Sequence, residues 1–423
     1  MTDTRNHWDT AYEWKAVTLL GIGFGLVGLD RWIIAPLFPS MMKDLNMGYQ
    51  DIGNLVGALG LLWGVFAIVS GRISDRIGHR KVLIPATLAF AALSGLSGLA
   101  TGFAMLLVIR ALMGVMEGSY CPTSFTATAA ASEPARRGFN QGLQQCGFAL
   151  FGFGVGPIIA TQLLRVLPSW RWVFLVVAIP GFIVGALLAV VLREPAQTQG
   201  GSAVGATAPP VKWTQVLRSR NIALCMLALL CAMACIFVLG GLLPNYLVDY
   251  LHLSNQDMGL VSSALGYGGF VGQFAVPGLS DVFGRRVTAV LAFVGAAVSI
   301  YVFMGIGANT TALFGMLLLV SFFSLGNVAL ITGPIATESA PAGLISSAIG
   351  IVVGSGEIFG GGVAPSIAGF IAQNYGIQNI LYMPLIGVTL GIFVCLFLRE
   401  TAPRKMAARI GPPVAAGIPA NRR

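Results

Sequence analysis

Apolar residues come along this chain in runs of about twenty or more, separated by short polar stretches. A hydrocarbon core about 30 Å thick is crossed by about 20 residues of helix, so each run predicts one membrane-spanning helix. The runs fall at 15–37, 51–71, 81–101, 104–130, 139–164 and 171–193, then at 221–247, 257–278, 287–307, 310–336, 343–373 and 378–399. The prediction is an all-α membrane protein of twelve transmembrane helices in two six-helix bundles. The chain divides into an N-terminal segment (1–13), a first bundle (14–193), a linker (194–220), a second bundle (221–399) and a tail (400–423). The linker holds Gln197-Thr198-Gln199-Gly200-Gly201-Ser202 and Pro209-Pro210, a flexible polar composition.

Composition excludes the main soluble alternatives. Of 423 residues, 56% are hydrophobic and 10% charged, against roughly 25% charged in an ordinary soluble domain. The net charge of +9 does not form a nucleic-acid footprint, because the basic residues lie in short loops between apolar runs. With both termini cytoplasmic, the inner segments hold 20 of the 25 Lys and Arg, and the outer loops keep Lys43, Arg165 and Arg171. That bias is the positive-inside pattern. All six cysteines lie inside apolar runs with no Cys-x-x-Cys pair, so they are read as packing groups. Residues 1–13 lack the basic-then-apolar pattern of a cleavable leader. Short outer loops point to a bacterial inner membrane, and a monomer is the default.

A repeat links the two halves. Gly71-Arg-Ile-Ser-Asp75-Arg76-Ile-Gly78-His-Arg80 follows the second run, and Gly278-Leu-Ser-Asp281-Val-Phe-Gly284-Arg285 follows the eighth. A tight turn of this kind lets glycine bring helices together and lets Asp cap a helix or pair with Arg. It reads as a cytoplasmic clasp that opens and closes as the halves rock. These two loops and the spans over 14–400 resemble the major facilitator superfamily of secondary transporters. The resemblance implies two pseudo-symmetric six-helix bundles around a central cavity, working by rocker-switch alternating access.

Charges within the spans carry the candidate chemistry, since each costs about 2.5–3.5 kcal/mol on insertion scales. Asp30 and Arg31 stand about two-thirds along the first span. Arginine stays charged and offers a planar fork for carboxylate, so Arg31 facing a cavity is an anion receptor. Asp30 lies about 100° around the helix. It is either a proton carrier or a counter-charge, and the pair alternatively orients the first and fourth spans. Arg110 and Glu117 are seven apart on one helical face. Burial and a neighbouring arginine act in opposite senses on a carboxyl's ionisation, the balance that proton coupling requires. Arg110 is expected to exchange between Glu117 and Asp30, or to form a static buried pair. Glu357, among glycines, is a second proton carrier, a selectivity group, or a group bonded to the tenth span.

The Asp30-Arg31 pair, the Arg110-to-Glu117 spacing and Val115-Met116-Glu117-Gly118, with Pro122 following, resemble the anion:cation symporter branch of that superfamily. Those carriers take up organic acids such as sugar acids with protons. The resemblance implies that Arg31 binds the substrate carboxylate and that Asp30 and Glu117 carry protons. Spinster-like lysolipid transporters share the Asp-Arg pair and the Arg-to-Glu spacing. They also share Trp170-Arg171-Trp172 and Arg193-Glu194-Pro195. This sequence departs from both groups at Glu357.

Further pocket candidates are Trp63, Tyr120, Gln144, Gln145 and Asn327, with Asn245, Tyr246, Tyr267 and Gln273 behind them. Adjacent Gln144 and Gln145 cannot face the same way. Trp63 should lie at midplane depth near Arg31. The three histidines fall outside the spans, so carboxylates must carry protons. No Walker-type loop is present, so the energy source is a proton gradient and no cofactor is expected. The expected function is proton-coupled uptake of a small organic anion, a carboxylate such as a sugar acid or aromatic acid. A lysolipid transporter and a proton-driven drug exporter are the alternatives.

Overall fold

A computed structural model of the chain describes residues 9–133, 136–193, 216–341, 344–402 and 405. Most of the expected linker and tail lies outside these. Twelve helical spans follow one another. The first six are α1 (Thr10–Leu45), α2 (Tyr49–Ile77), α3 (His79–Ser97), α4 (Phe103–Ala131), α5 (Phe139–Val166) and α6 (Trp170–Val191). The second six are α7 (Arg220–Tyr250), α8 (Asn255–Phe283), α9 (Arg285–Met304), α10 (Thr310–Ser339), α11 (Ala348–Tyr375) and α12 (Ile377–Leu396). Ten of these are long and apolar enough to cross a membrane. The other two, α3 and α8, are diluted by the basic start His79-Arg80-Lys81 and by Gly266, Gly268, Gly269 and Gly272.

Helix ends reach past the apolar runs, because capping sets an end while hydropathy marks only the hydrocarbon. The Asp9 carboxylate accepts from the Tyr12 N–H, and Ser254 and Asn309 cap α8 and α10 in the same way.

The two halves repeat one plan. Both α2 and α8 have 29 residues. They end on Gly78 and Gly284, with φ of 96° and 103°, from which α3 and α9 restart at once. Only glycine adopts that backbone without strain. In the first half α2 packs along α4 and α3 along α6; in the second, α8 packs along α10 and α9 along α12.

Two related seams join the halves, α2 against α11 and α5 against α8. Their backbones come close enough that a Cβ on Gly60 would collide with the Gly361 carbonyl, and one on Gly266 with the Gly154 backbone. Polar contacts complete the seal at the end away from the termini. The Tyr49 N–H donates to Gln373 Oε1 at 2.8 Å, its hydroxyl to Asp249 Oδ2 at 3.1 Å, and Gln50 Nε2 to the Ser366 carbonyl at 3.0 Å.

At the opposite end each half is tied within itself. Glu13, buried at the start of α1, accepts from Arg136 at 2.7 Å and Asn140 at 2.9 Å. Arg285 pairs with Asp281 at 2.7 Å and Glu338 at 2.8 Å, and Glu400 Oε1 accepts from the Arg285 N–H at 2.7 Å. The second copy of the repeated loop is thus a clasp between α8, α9, α10 and the segment after α12. In the first copy, Arg80 donates to the Ala189 carbonyl of α6 at 2.6 Å and Arg76 is exposed. Gly71 and Asp75 fall within α2, and their surroundings lie outside what is described. Gly278 does not bring helices together as expected, since a Cβ there meets nothing within 4 Å.

Candidate transport site

The helix carrying Arg31 ends at Trp32, and α1 resumes at Ile34 after a turn at Ile33. A helix end leaves carbonyls without intrahelical donors. Arg110 of α4 meets that need: its Nη1 donates to the Asp30 carbonyl at 3.1 Å and to the Arg31 carbonyl at 3.0 Å. In this conformation Arg110 clamps the α1 backbone and lies within electrostatic reach of both Glu117 and Asp30. The Asp30 carboxylate accepts from Ser94 Oγ of α3 at 2.7 Å. The close fit of α4 on α2 follows from glycine, because a Cβ on Gly118 would meet the Trp63 backbone.

Arg31 finds its partner in the other half. Its Nη2 donates to Glu357 Oε2 at 3.0 Å, and the side chains are only 2% and 5% exposed. Glu357 sits in a π-helical segment of α11, Gly356–Val363, just before Pro365. A proline lacks the N–H that the preceding turn needs, and wide turns of this kind gather at functional sites. Similar segments lie beside Pro157 in α5, Pro244 in α7 and Pro334 in α10. Aromatic rings box the guanidinium: its carbon is 4.6 Å from the Phe237 ring centre, 5.5 Å from Trp32 and 5.6 Å from Trp63. Its Nε and Nη1 are buried with no hydrogen-bond partner among the described residues.

Glu117 is wholly buried, and neither carboxyl oxygen has a hydrogen-bond partner among the described residues. It lies within electrostatic reach of Arg31, Asp30, Arg110 and Glu357. Three acids and two arginines thus share one apolar centre.

Against this cluster lies a cavity of about 130 Å³, on the termini side of the seal. Its walls are mostly aromatic and aliphatic, from Phe24, Phe125, Phe148, Phe237 and Met233. Trp63, Gln145, Gln273 and Glu357 also line it. Tyr120, Gln144 and Asn327 do not: they bridge helices. The Tyr120 hydroxyl donates to the Leu20 carbonyl at 3.2 Å, Gln144 joins Ser124 and Thr128 at 2.7 and 2.6 Å, and Asn327 donates to the Ala289 carbonyl at 3.2 Å. Asn245 bonds Asp249 at 3.1 Å near the seal. The phenylalanine walls escaped the sequence reading because a pocket-lining Phe has the same pattern as a packed one. A larger surface crevice of about 820 Å³, lined by Arg220, Arg286 and Arg399, lies outside the charged cluster. It also carries Glu400 and Lys405 and lies away from the buried acids, so the cavity beside the charged cluster is the candidate site. No cluster of metal-ligating side chains occurs among the described residues.

Comparison with known proteins agrees with this architecture. The family profile described as Major Facilitator Superfamily matches residues 20–353 and 225–419. The chain is 26% identical over 394 residues to the probable 4-methylmuconolactone transporter of Cupriavidus pinatubonensis, covering 90% of this chain and 89% of that protein. It is 27% identical over 311 residues to the hexuronate transporter of Bacillus subtilis, covering 70% and 73%. In three dimensions it is similar to the crystal structure of a bacterial homologue of the human lysosomal transporter Spinster, in an inward-facing and occupied conformation. The TM-score is 0.74 at 14% identity, with 91% of this chain and 96% of that one covered; at that identity the likeness is one of fold. The relatives are transporters, not enzymes. With twelve spans in two repeated halves, a charged cluster at their interface and a profile match over most of its length, this integral membrane protein belongs to the major facilitator superfamily.

Proposed function

We propose that this transporter couples the uptake of a small organic anion to protons across a bacterial inner membrane, as a monomer with both termini cytoplasmic. The observation that carries the reading is Arg31: a buried guanidinium, two of whose nitrogens have no hydrogen-bond partner among the described residues, held by one acid of the opposite half. Relatives named as a probable 4-methylmuconolactone transporter and a hexuronate transporter support a small organic substrate.

The chemistry follows from charge conservation in a buried site. An incoming carboxylate competes with Glu357 for Arg31. A displaced Glu357 carboxylate would be a buried charge without a partner, which is costly, so it takes up a proton. The site's net charge stays constant, and one anion travels with one proton. Glu117 can receive and pass on a proton without breaking any bond to the protein, and we assign it the relay role. Asp30, held by Ser94, is the second relay candidate. Because Arg31 and Glu357 belong to different halves, exchanging the acid for substrate removes a bond between the halves as they rock. By linkage, anion affinity rises as pH falls.

The test is uptake into proteoliposomes under an inward proton gradient, with labelled aromatic, sugar and dicarboxylic acids. The reading requires gradient-driven accumulation of an acid, lost in Arg31→Gln. Failure of every acid, with transport of a lysolipid instead, would replace it with the amphiphile reading.

A further inference from the structure

We infer that the acid this site takes carries a single apolar ring and not a hydroxylated chain. The inference rests on the organic-anion reading above and names the substrate class within it. Size comes first. The cavity measures about 130 Å³, and an apolar cavity of about 150 Å³ holds one benzene molecule. The volume matches one ring. Arg31 itself does not line the cavity but lies behind Glu357, Phe237 and Trp63, which do, so a carboxylate reaches it by displacing Glu357.

The walls come second. Phe24 and Phe125 meet edge to face with centres 5.3 Å apart, and Phe24 and Phe148 lie 5.4 Å apart. With Phe237, which also contacts Arg31, they offer ring faces and edges on several sides. These are the geometries a further aromatic ring packs against.

Polar capacity comes third. A sugar acid brings several hydroxyls, and each one buried without a partner is penalised. The neutral polar side chains lining the cavity include Gln145, Gln273 and Thr332. Thr332 Oγ1 already donates to the Val328 carbonyl at 2.8 Å, and Gln273 Oε1 accepts from Cys146 Sγ at 3.7 Å. What remains is Gln145, the Gln273 N–H groups and Trp63 Nε1, which has no hydrogen-bond partner among the described residues. They are set in an otherwise apolar wall, so the many hydroxyls of a polyol would compete for few partners.

The experiment is equilibrium binding to the purified, folded protein with three probes: benzoate, glucuronate and benzyl alcohol. Benzoate should bind at least tenfold tighter than glucuronate, and Arg31→Gln should abolish benzoate binding. If that variant does not fold, Arg31→Gln/Glu357→Gln removes both charges and serves instead. Glucuronate binding as tightly as benzoate, and dependent on Arg31, would overturn the ring class while leaving the anion reading intact. Benzyl alcohol binding as tightly as benzoate, unaffected by loss of Arg31, would overturn the anion reading and this inference with it. No binding of benzoate to the folded protein would overturn the ring class.

Discussion

Arg31 and Glu357 meet at 3.0 Å across the seam between the two halves, each almost fully buried. A lone charge at that depth is strongly unfavourable, so each side chain depends on the other or on a substitute. A substrate carboxylate is such a substitute.

Removing Glu357 therefore has two effects. Glu357→Gln leaves the Arg31 charge without its counter-ion and should lower the stability of the empty protein by up to about 3–5 kcal/mol. Benzoate should restore much of that loss. Melting temperatures with and without benzoate check this: the ligand-induced rise should be larger in the variant than in the parent. An equal rise would mean that ligand and Glu357 do not share Arg31.

Glu117 makes no hydrogen bond among the described residues, so Glu117→Gln should leave the fold and the binding of benzoate nearly unchanged. Exchange of labelled for unlabelled acid across the vesicle membrane should continue. Accumulation driven by a proton gradient should fall at least about a hundredfold, the lower end of what a positioned proton-transfer group contributes. Equal loss of both activities would assign Glu117 a structural role.

The repeated loops predict a contrast among glycines. At Gly284, φ is +103°, and a Cβ would also lie 2.6 Å from Glu400 Oε2. Gly284→Ala should cost at least about 1–2 kcal/mol, and Gly78→Ala, at φ 96°, a comparable amount. Gly278→Ala meets open space and should change stability by less than about 0.5 kcal/mol. Thermal unfolding of the three variants gives the comparison.

Closure at the end away from the termini depends on backbone contact between Gly60 and Gly361. Gly60→Leu should wedge α2 from α11 and populate forms open at that end. Spin labels on Lys43→Cys and Asn374→Cys, both exposed positions, report the gap, and the six native cysteines are buried. The distance distribution should shift to longer values, and uptake should fall.

Much of this was legible in the sequence. Hydropathy marks depth in a membrane, so the twelve spans, the repeated loops and the intramembrane charges could all be read from it. Depth says nothing about which way a side chain points or which half it meets. Hence the sequence pointed Arg110 at carboxylates, while its hydrogen bonds in this conformation go to the backbone where α1 breaks. The acid on Arg31 is Glu357, 326 residues away in sequence. Gln144 and Gln145 were known to point apart, but only packing shows that Gln144 bridges α4 and α5 while Gln145 lines the cavity.

The most direct test of the account counts protons on binding. Benzoate is added to the purified protein in weak buffer with a pH indicator. The parent protein should take up about one proton per benzoate bound, and Glu357→Gln should bind benzoate with no proton uptake. Binding to the parent without proton uptake, or undiminished uptake in Glu357→Gln, would contradict the exchange of Glu357 for substrate on Arg31.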